Sequence, residues 1–451
     1  MEFKDKKILV LGAGISGIAV SGILKELGAR VTLSDAKREE DIKHDLTGIV
    51  NAGVALAMGR QDESLLEAVN LIVLSPGISI YNPLVELAKE REITVISEVE
   101  VAYQLCQAPI VAVTGTNGKT TTTTLIGEML KAAGLETVVG GNIGLALSEE
   151  VRSVKKTGVA VAEISSFQLE GVLEFKPHVA AVLNLTPDHI DRHRSMENYQ
   201  LMKERIFTKQ TGDDYVILNY DDLAVRHMGD RAPSQVVYFS RLRDLPSGLF
   251  VQDGVIKVSW NGDVTEILPV ADIKIKGGHN VENALVACGC AYFMGVTAEV
   301  MAEVLRNFGG VEHRIEPVTE VNGVWYYNDS KATNPESAIK ALEAFDGHII
   351  LIAGGRDKNT DLTEFMTLVK EKVDHLILLG EAKTRFAEAA CEAGIKSVRQ
   401  VDDFGAAVKL ARSLAKAPQV VLLSPACSSY DLFNNYEERG QVFKEMVHQL
   451  R

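Results

Sequence analysis

Short runs of β-branched and aliphatic residues alternate along this chain with longer segments of helical periodicity. Lys7–Leu11, Arg30–Ser34 and Leu71–Leu74 read as strands, and Ser16–Leu27 reads as a helix between the first two. Continuous apolar strands separated by helices predict parallel sheets covered on both faces. The pattern returns at Val159–Ile164 and Val179–Leu185, then at Ile349–Ala353, Leu376–Leu379 and Val420–Ser424. Only the stretch 213–275 departs from it, where the Asp253-Gly254 and Asn261-Gly262 turns predict added antiparallel structure. A chain of 451 residues exceeds one ordinary core. We therefore expect an α/β protein of three domains, at 1–98, 99–310 and 311–451.

Glycine turns follow several of these strands. Gly12-x-Gly14-x-x-Gly17 comes after the first, and Asp35 closes the second, as in a dinucleotide-binding Rossmann unit. Taken alone, that spacing suggests NAD. Ser75-Pro76-Gly77-Ile78-Ser79 is a second turn that can offer N–H groups to the same ligand. The string Val111-Ala112-Val113-Thr114-Gly115-Thr116-Asn117-Gly118-Lys119-Thr120-Thr121 is an apolar strand running into a loop that ends in Lys-Thr. Gly115 and Gly118 can turn N–H groups inward, Lys119 can reach the β- and γ-phosphates, and Thr120 can ligate Mg²⁺. Val113 stands where the full phosphate-loop pattern has its first glycine, so a shorter loop is expected.

Charge and composition narrow the partners. A net charge of −14 argues against nucleic acid. Five cysteines without metal-type spacing suit reduced thiols. Glycines interrupt the apolar stretch after Lys7, which argues against a signal peptide, and no run is long enough to span a membrane. A cytoplasmic protein is expected.

Polar strings after the strands carry the remaining chemistry. Glu163 ends one strand and can hold Mg²⁺. Asp188-His189-Ile190-Asp191-Arg192-His193 follows another. His189 and His193 have the spacing of a zinc-protease motif, but Ile190 replaces its glutamate, so a second Mg²⁺ or a phosphate is the better partner for His189. In the helical segment 199–207, Tyr199, Met202 and Ile206 share a buried face. Lys203 lies beside that face, where a lysine ordinarily snorkels to the surface. Asn280 and Asn283, after Gly277-Gly278, can read the edges of a purine, although capping also explains Asn280. Asp329 can bind a ribose, while Arg314 and Lys331 can neutralise phosphate or carboxylate. Gly354-Gly355-Arg356-Asp357-Lys358 and Ser424–Asp431 form two loops that can share one small ligand.

The order of GTNGKTTT at 115–122, EISSFQLE at 163–170, DHIDRH at 188–193, NDSKATNP at 328–335 and SPACSSYDLF at 424–433 resembles the Mur ligase family along essentially the whole chain. The resemblance implies an N-terminal Rossmann-like domain, a central P-loop ATPase-like domain and a C-terminal Rossmann-like domain. It implies ATP, UDP-N-acetylmuramoyl-L-alanine and D-glutamate as substrates, two Mg²⁺ ions and an acyl-phosphate intermediate. A monomer is expected.

By the same resemblance, Gly115, Thr116, Asn117, Gly118, Lys119, Thr120, Thr121, Asn280, Asn283, Arg314 and Asp329 would contact ATP. Gly14, Ile15, Ser16, Gly17, Asp35, Gly77, Asn142 and His189 would line the UDP-sugar path, with the first glycine loop holding a substrate diphosphate in place of NAD. Lys331, Thr333, Lys358, Ser429 and Tyr430 would surround D-glutamate. Lys119, Glu163, His189 and Lys203 would be catalytic. Lys203 is expected as a carbamate that joins Thr120, Glu163 and His189 around the metal ions. Other readings are a family ligase for another amino acid, an NAD(P)-dependent oxidoreductase and a non-catalytic ATP-binding module.

Overall fold

Three sheets carry the chain in this computed structural model, which describes residues 1–42, 44–357 and 359–450. The first is all parallel, in the order β3-β2-β1-β4-β5, from β1 (Lys7–Leu11), β2 (Arg30–Asp35), β3 (Ala55–Met58), β4 (Leu71–Leu74) and β5 (Thr94–Ser97). Side chains of β1 alternate between two cores, Ile8 and Val10 on one face, Leu9 and Leu11 on the other. Burial on both faces is why the strand reads as an unbroken apolar run. The order of strands reverses beside β1, and both glycine turns follow strands at that switch point.

The central sheet has the order β14-β13-β12-β11-β10-β9-β6-β8-β7. Its strands are β6 (Ile110–Thr114), β7 (Thr137–Gly141), β8 (Val159–Glu163), β9 (Val179–Val182), β10 (Tyr215–Asn219), β11 (Gln235–Ser240), β12 (Gly248–Gln252), β13 (Val255–Trp260) and β14 (Asp263–Pro269). Antiparallel pairing begins only at β12, so β10 and β11 extend the parallel part into the stretch expected to be antiparallel. The strand expected over Val179–Leu185 stops at Val182, because the following residues turn back over the loop after β6.

The last sheet runs β15-β16-β20-β17-β18-β19, from β15 (Glu316–Val321), β16 (Val324–Asn328), β17 (Ile349–Gly354), β18 (Val373–Leu379), β19 (Val398–Gln400) and β20 (Val420–Leu423). Only β15 is antiparallel to its neighbour. The polypeptide divides into two compact units, Met1–Lys274 with Val281–Asn307, and Ile275–Asn280 with Phe308–Arg451. The N-terminal and central sheets share the first unit. They are joined by the helix Glu98–Leu105, whose buried Glu100 accepts the backbone N–H groups of Leu173, Glu174 and Phe175 at 2.7, 2.9 and 3.0 Å. Among the described residues no helix is long and apolar enough to cross a membrane.

Candidate active site

The loop after β6 lies at the carboxyl edge of the central sheet and opens the helix Lys119–Ala132. Its two glycines are required by its shape. Gly115 has φ +154°, and a Cβ there would stand 2.9 Å from Leu183 Cβ. Gly118 has φ +85°, and its Cβ would stand 2.3 Å from Asn283 Oδ1. Asn184 holds the loop from the β9 side. Its Oδ1 accepts Asn117 N–H at 2.8 Å and its Nδ2 donates to Asn117 O at 3.1 Å, while its carbonyl accepts Thr116 N–H at 3.0 Å. Thr116 Oγ1 meets Tyr199 OH at 3.2 Å and accepts Thr186 N–H at 3.1 Å. Thr120 and Thr121 begin the helix, where backbone N–H groups and the helix dipole favour an anion.

Lys119 Nζ donates to the carbonyls of Gly115 and Thr116 at 2.9 and 2.8 Å. Lys203 Nζ donates to the same Gly115 carbonyl at 2.8 Å. The expected snorkelling of Lys203 does not occur. The helix Met196–Glu204 turns it inward, to 1% exposure, with its amine 4.6 Å from the centre of the Tyr199 ring. Burial, and then the neighbouring Lys119 charge, push the Lys203 amine well below the usual lysine range.

Glu163, at the end of β8, is buried; one carboxylate oxygen accepts Asn142 Nδ2 at 2.9 Å and the other, Oε2, has no hydrogen-bond partner. A buried carboxylate oxygen left bare beside a phosphate loop fits a divalent cation. His189 takes a left-handed backbone, φ +54°, at the start of the single helical turn Ile190–His193. Its ring packs 4.7 Å from that of Phe167, and its Nε2 stands 3.4 Å from Asp188 Oδ2. His193 takes no part in a zinc pair, since its ring bonds Ser166 Oγ at 2.9 Å in the interior. Burial, helped by the Arg192 charge, pulls its pKa down to about 4.

In the N-terminal sheet the two glycine turns pack on each other. A Cβ on Gly12 would lie 2.8 Å from Ser75 Cβ, and one on Gly17 would lie 1.9 Å from Gly12 O. Asp35 Oδ2 accepts Ala13 N–H at 2.8 Å, which fixes the first turn. Gly14 and Ser16 are half-buried, while Ile15 and Gly77 are exposed. The Gly12–Gly17 turn, Asp35 and the Ser75–Ser79 turn thus lie side by side at the carboxyl ends of β1, β2 and β4.

Asn283, in the first unit, accepts Thr122 Oγ1–H at 3.2 Å. Asn280 belongs to the second unit and donates to Lys276 O at 2.7 Å. In that second unit Asp329 is buried, and burial raises its carboxyl to about 7 despite Ser424 Oγ–H at 2.7 Å, Ile315 N–H at 3.2 Å and the Arg314 charge. Arg314 Nε is buried without a hydrogen-bond partner. Lys331 lies 5.2 Å from the centre of the Tyr436 ring, Thr333 is half-buried, Ser429 is buried and Tyr430 is exposed. Buried Arg439 draws two of these loops together by donating to Ser330 O at 2.7 Å and Cys427 O at 3.1 Å. Lys358 lies outside the described residues. Among the described residues, Glu312, His313 and Glu316 are the three-residue group with ligand atoms close enough for a metal, but Lys444 already pairs with both glutamates.

Sequence reasoning missed Asn184 and Arg192, and gave Tyr199 only a core role. Each reveals its task only through a partner distant in sequence.

A glycine loop opening a helix, with buried Lys203 bonded to it and α/β sheets before and after it in the chain order, fits a nucleotide-dependent enzyme. The chain belongs to the Mur ligase family. It matches the MurD-like N-terminal domain over residues 6–97, the Mur ligase middle domain over 113–291 and the Mur ligase glutamate ligase domain over 313–427. It is 46% identical over 453 residues to the UDP-N-acetylmuramoylalanine–D-glutamate ligase of Thermoanaerobacter sp. (strain X514), covering 100% of both chains. With the protein of that name from Pelotomaculum thermopropionicum it is 47% identical over 450 residues, covering 100% of this chain and 99% of the relative. Among solved structures, a UDP-N-acetylmuramate-alanine ligase from Thermotoga maritima shares the fold at a TM-score of 0.61 and 20% identity, over 99% of this chain and 100% of that one.

Proposed function

We propose that this protein joins D-glutamate to UDP-N-acetylmuramoyl-L-alanine with hydrolysis of ATP to ADP and phosphate. It is an amide ligase of peptidoglycan precursor synthesis. The observation that carries the chemistry is the convergence of Lys119, Lys203 and the bare oxygen of Glu163 around one phosphate loop. Full-length identity to ligases of that name supports the choice of amino acid.

In this reading the loop N–H groups and the start of the helix Lys119–Ala132 cradle the ATP phosphates, and Lys119 exchanges its loop carbonyls for phosphoryl oxygens. Thr120, Glu163 and His189 would hold Mg²⁺, which supplies neutralisation of the transferring phosphoryl group. The Gly12–Gly17 and Ser75–Ser79 turns hold the UDP diphosphate, and His189 and Asn142 orient the muramoyl carboxylate. That carboxylate oxygen attacks the γ-phosphorus, ADP leaves, and an acyl phosphate forms. The amine of D-glutamate then adds to the acyl carbon, loses a proton and expels phosphate. Lys331, Thr333, Lys358, Ser429 and Tyr430 are proposed to hold D-glutamate, with Asn280, Asn283, Arg314 and Asp329 on ATP.

Lys203 is proposed to carry a carbamate. Its amine must be neutral to attack CO₂, and burial beside Lys119 favours that state. The product would be an anion within reach of the metal-binding edge. Substrates activated with UDP and ATP suit a cytoplasmic location. Phosphate release with ATP, Mg²⁺ and UDP-N-acetylmuramoyl-L-alanine tests the function, comparing D-glutamate, L-glutamate and no amino acid. Release confined to D-glutamate is expected. Release with a different amino acid would overturn the named product, and none with any amino acid would overturn the ligase reading.

A further inference from the structure

Arg192 lies on the one-turn helix Ile190–His193, next in sequence to the machinery just described but without a role in it. Its guanidinium reaches from the central sheet to the N-terminal one. Nε and Nη2 grip the two oxygens of Glu170 at 2.9 and 2.6 Å. Nη1 donates to Pro76 O at 2.7 Å, and Nη2 also donates to Ile78 O at 2.9 Å. Four of the five N–H donors of the fork are engaged. Glu170 in turn accepts Ile80 N–H at 3.3 Å. The pair is shielded from water, with side-chain exposures of 12% for Arg192 and 1% for Glu170. Above it, Phe167 packs 3.9 Å from the guanidinium and 4.7 Å from the His189 ring.

The two carbonyls flank Gly77. In a planar trans peptide the C=O of one residue and the N–H of the next point in opposite directions. Holding Pro76 O and Ile78 O toward Arg192 therefore turns the N–H groups of Gly77 and Ser79 away from it, into the arrangement an anion needs. Through Phe167 the same guanidinium fixes the face on which His189 rests. We propose that Arg192 is a positioning residue that aims the Gly77 and Ser79 amides at the diphosphate of the UDP-sugar and registers that turn against His189. The inference rests on the UDP-sugar reading of the Ser75–Ser79 turn given above. Lysine cannot replace the fork, because one ammonium cannot serve a carboxylate and two divergent carbonyls in a fixed plane.

The test uses the full chain with Arg192→Lys and Arg192→Ala. Steady-state kinetics should show KM for UDP-N-acetylmuramoyl-L-alanine raised about tenfold or more in both, with KM for ATP within about twofold of wild type. Guanidinium ion at millimolar concentration should restore part of the loss in the alanine variant and none in the lysine variant. Arg152→Ala is the control, since Arg152 also bridges the two sheets' domains, through Glu26 at 2.7 Å, but in an exposed pair that should leave both constants unchanged. Hydrogen exchange of the segment containing Gly77 and Ser79 is read on the unliganded protein, independently of ligation. It should quicken in Arg192→Ala. Faster exchange there with a wild type that releases no phosphate would mean that the clasp stands and the functional reading has failed. Unchanged exchange and an unchanged UDP-substrate KM would overturn the inference, as would equal rises in both KM values.

Discussion

Gly118→Ala probes the shape of the phosphate loop directly. Gly118 has φ +85°, and an added Cβ would meet Asn283 Oδ1 at 2.3 Å and Leu183 Cδ1 at 3.2 Å. The left-handed backbone costs an alanine about 1–2 kcal/mol. Overpacking against buried Asn283 and Leu183 adds about 1–3 kcal/mol, for a total of about 2–5 kcal/mol. If Asn283 swings aside to relieve the contact, it forfeits the 3.2 Å bond from Thr122 Oγ1, worth about 1 kcal/mol. The melting temperature of the first unit, about 300 residues, should therefore fall by roughly 3–8 °C in calorimetry. ATP affinity by titration should fall more than tenfold, at about 1.4 kcal/mol per factor of ten, while the UDP-sugar affinity holds. Asn283→Ala in the same background removes the oxygen that the new methyl strikes, so the double variant should recover part of the lost stability and show a non-zero coupling. A Gly118→Ala protein that melts and binds ATP like wild type, or a cycle without coupling, would refute this account of the loop.

Further substitutions address charge. Glu163→Gln should raise the Mg²⁺ concentration needed for half-maximal phosphate release, because a neutral amide replaces the bare oxygen; an unchanged Mg²⁺ dependence would remove Glu163 from the metal site. Lys203→Ala should abolish turnover with little loss of stability, since it deletes a desolvated amine, and wild type given ¹³C-labelled CO₂ should show a carbamate resonance that the variant lacks. Retained turnover would exclude the role. Asp329 has a carboxyl raised to about 7, against 3.8 unfolded. The native state therefore binds the extra proton within that window, and its stability should fall as pH rises from about 4 to 7, by about 1.4 kcal/mol for each unit of raised pKa at most. Asp329→Asn should remove this part of the slope in denaturant melts of wild type and variant across pH, and identical slopes would contradict the buried acid.

Strand positions were legible because doubly buried parallel strands are written as unbroken aliphatic runs, and β1 and β4 appear in the structure with the expected limits. The glycine turn after β6 was legible for a similar reason, since positive φ at Gly118 admits little but glycine. What failed were places where tertiary contact overrules local pattern. Leu183, Asn184 and Leu185 look like more strand, but Asn184 is spent on Asn117 and the strand ends at Val182. Lys203 reads as a solvated lysine on its own helix, and only the Gly115 carbonyl, far away in sequence, explains its burial. Arg192 gave no signal because Glu170 is distant in sequence and its other partners, Pro76 and Ile78, are backbone carbonyls.

The two failures that concern shielded cations, Lys203 and Arg192, have one physical origin. A net charge of −14 gives a protein that must handle phosphates and carboxylates a repulsive background, so cations have to be concentrated and desolvated where the anions bind. Burying them is costly unless they are hydrogen-bonded, and the backbone carbonyls at the ends of parallel strands supply acceptors without adding negative side chains. Lys119 and Lys203 share Gly115 O, and Arg192 takes Pro76 O and Ile78 O. Lys119 and Lys203 are thereby fixed by backbone carbonyls, whereas Arg192 is also clasped by Glu170 and acts on the backbone it holds.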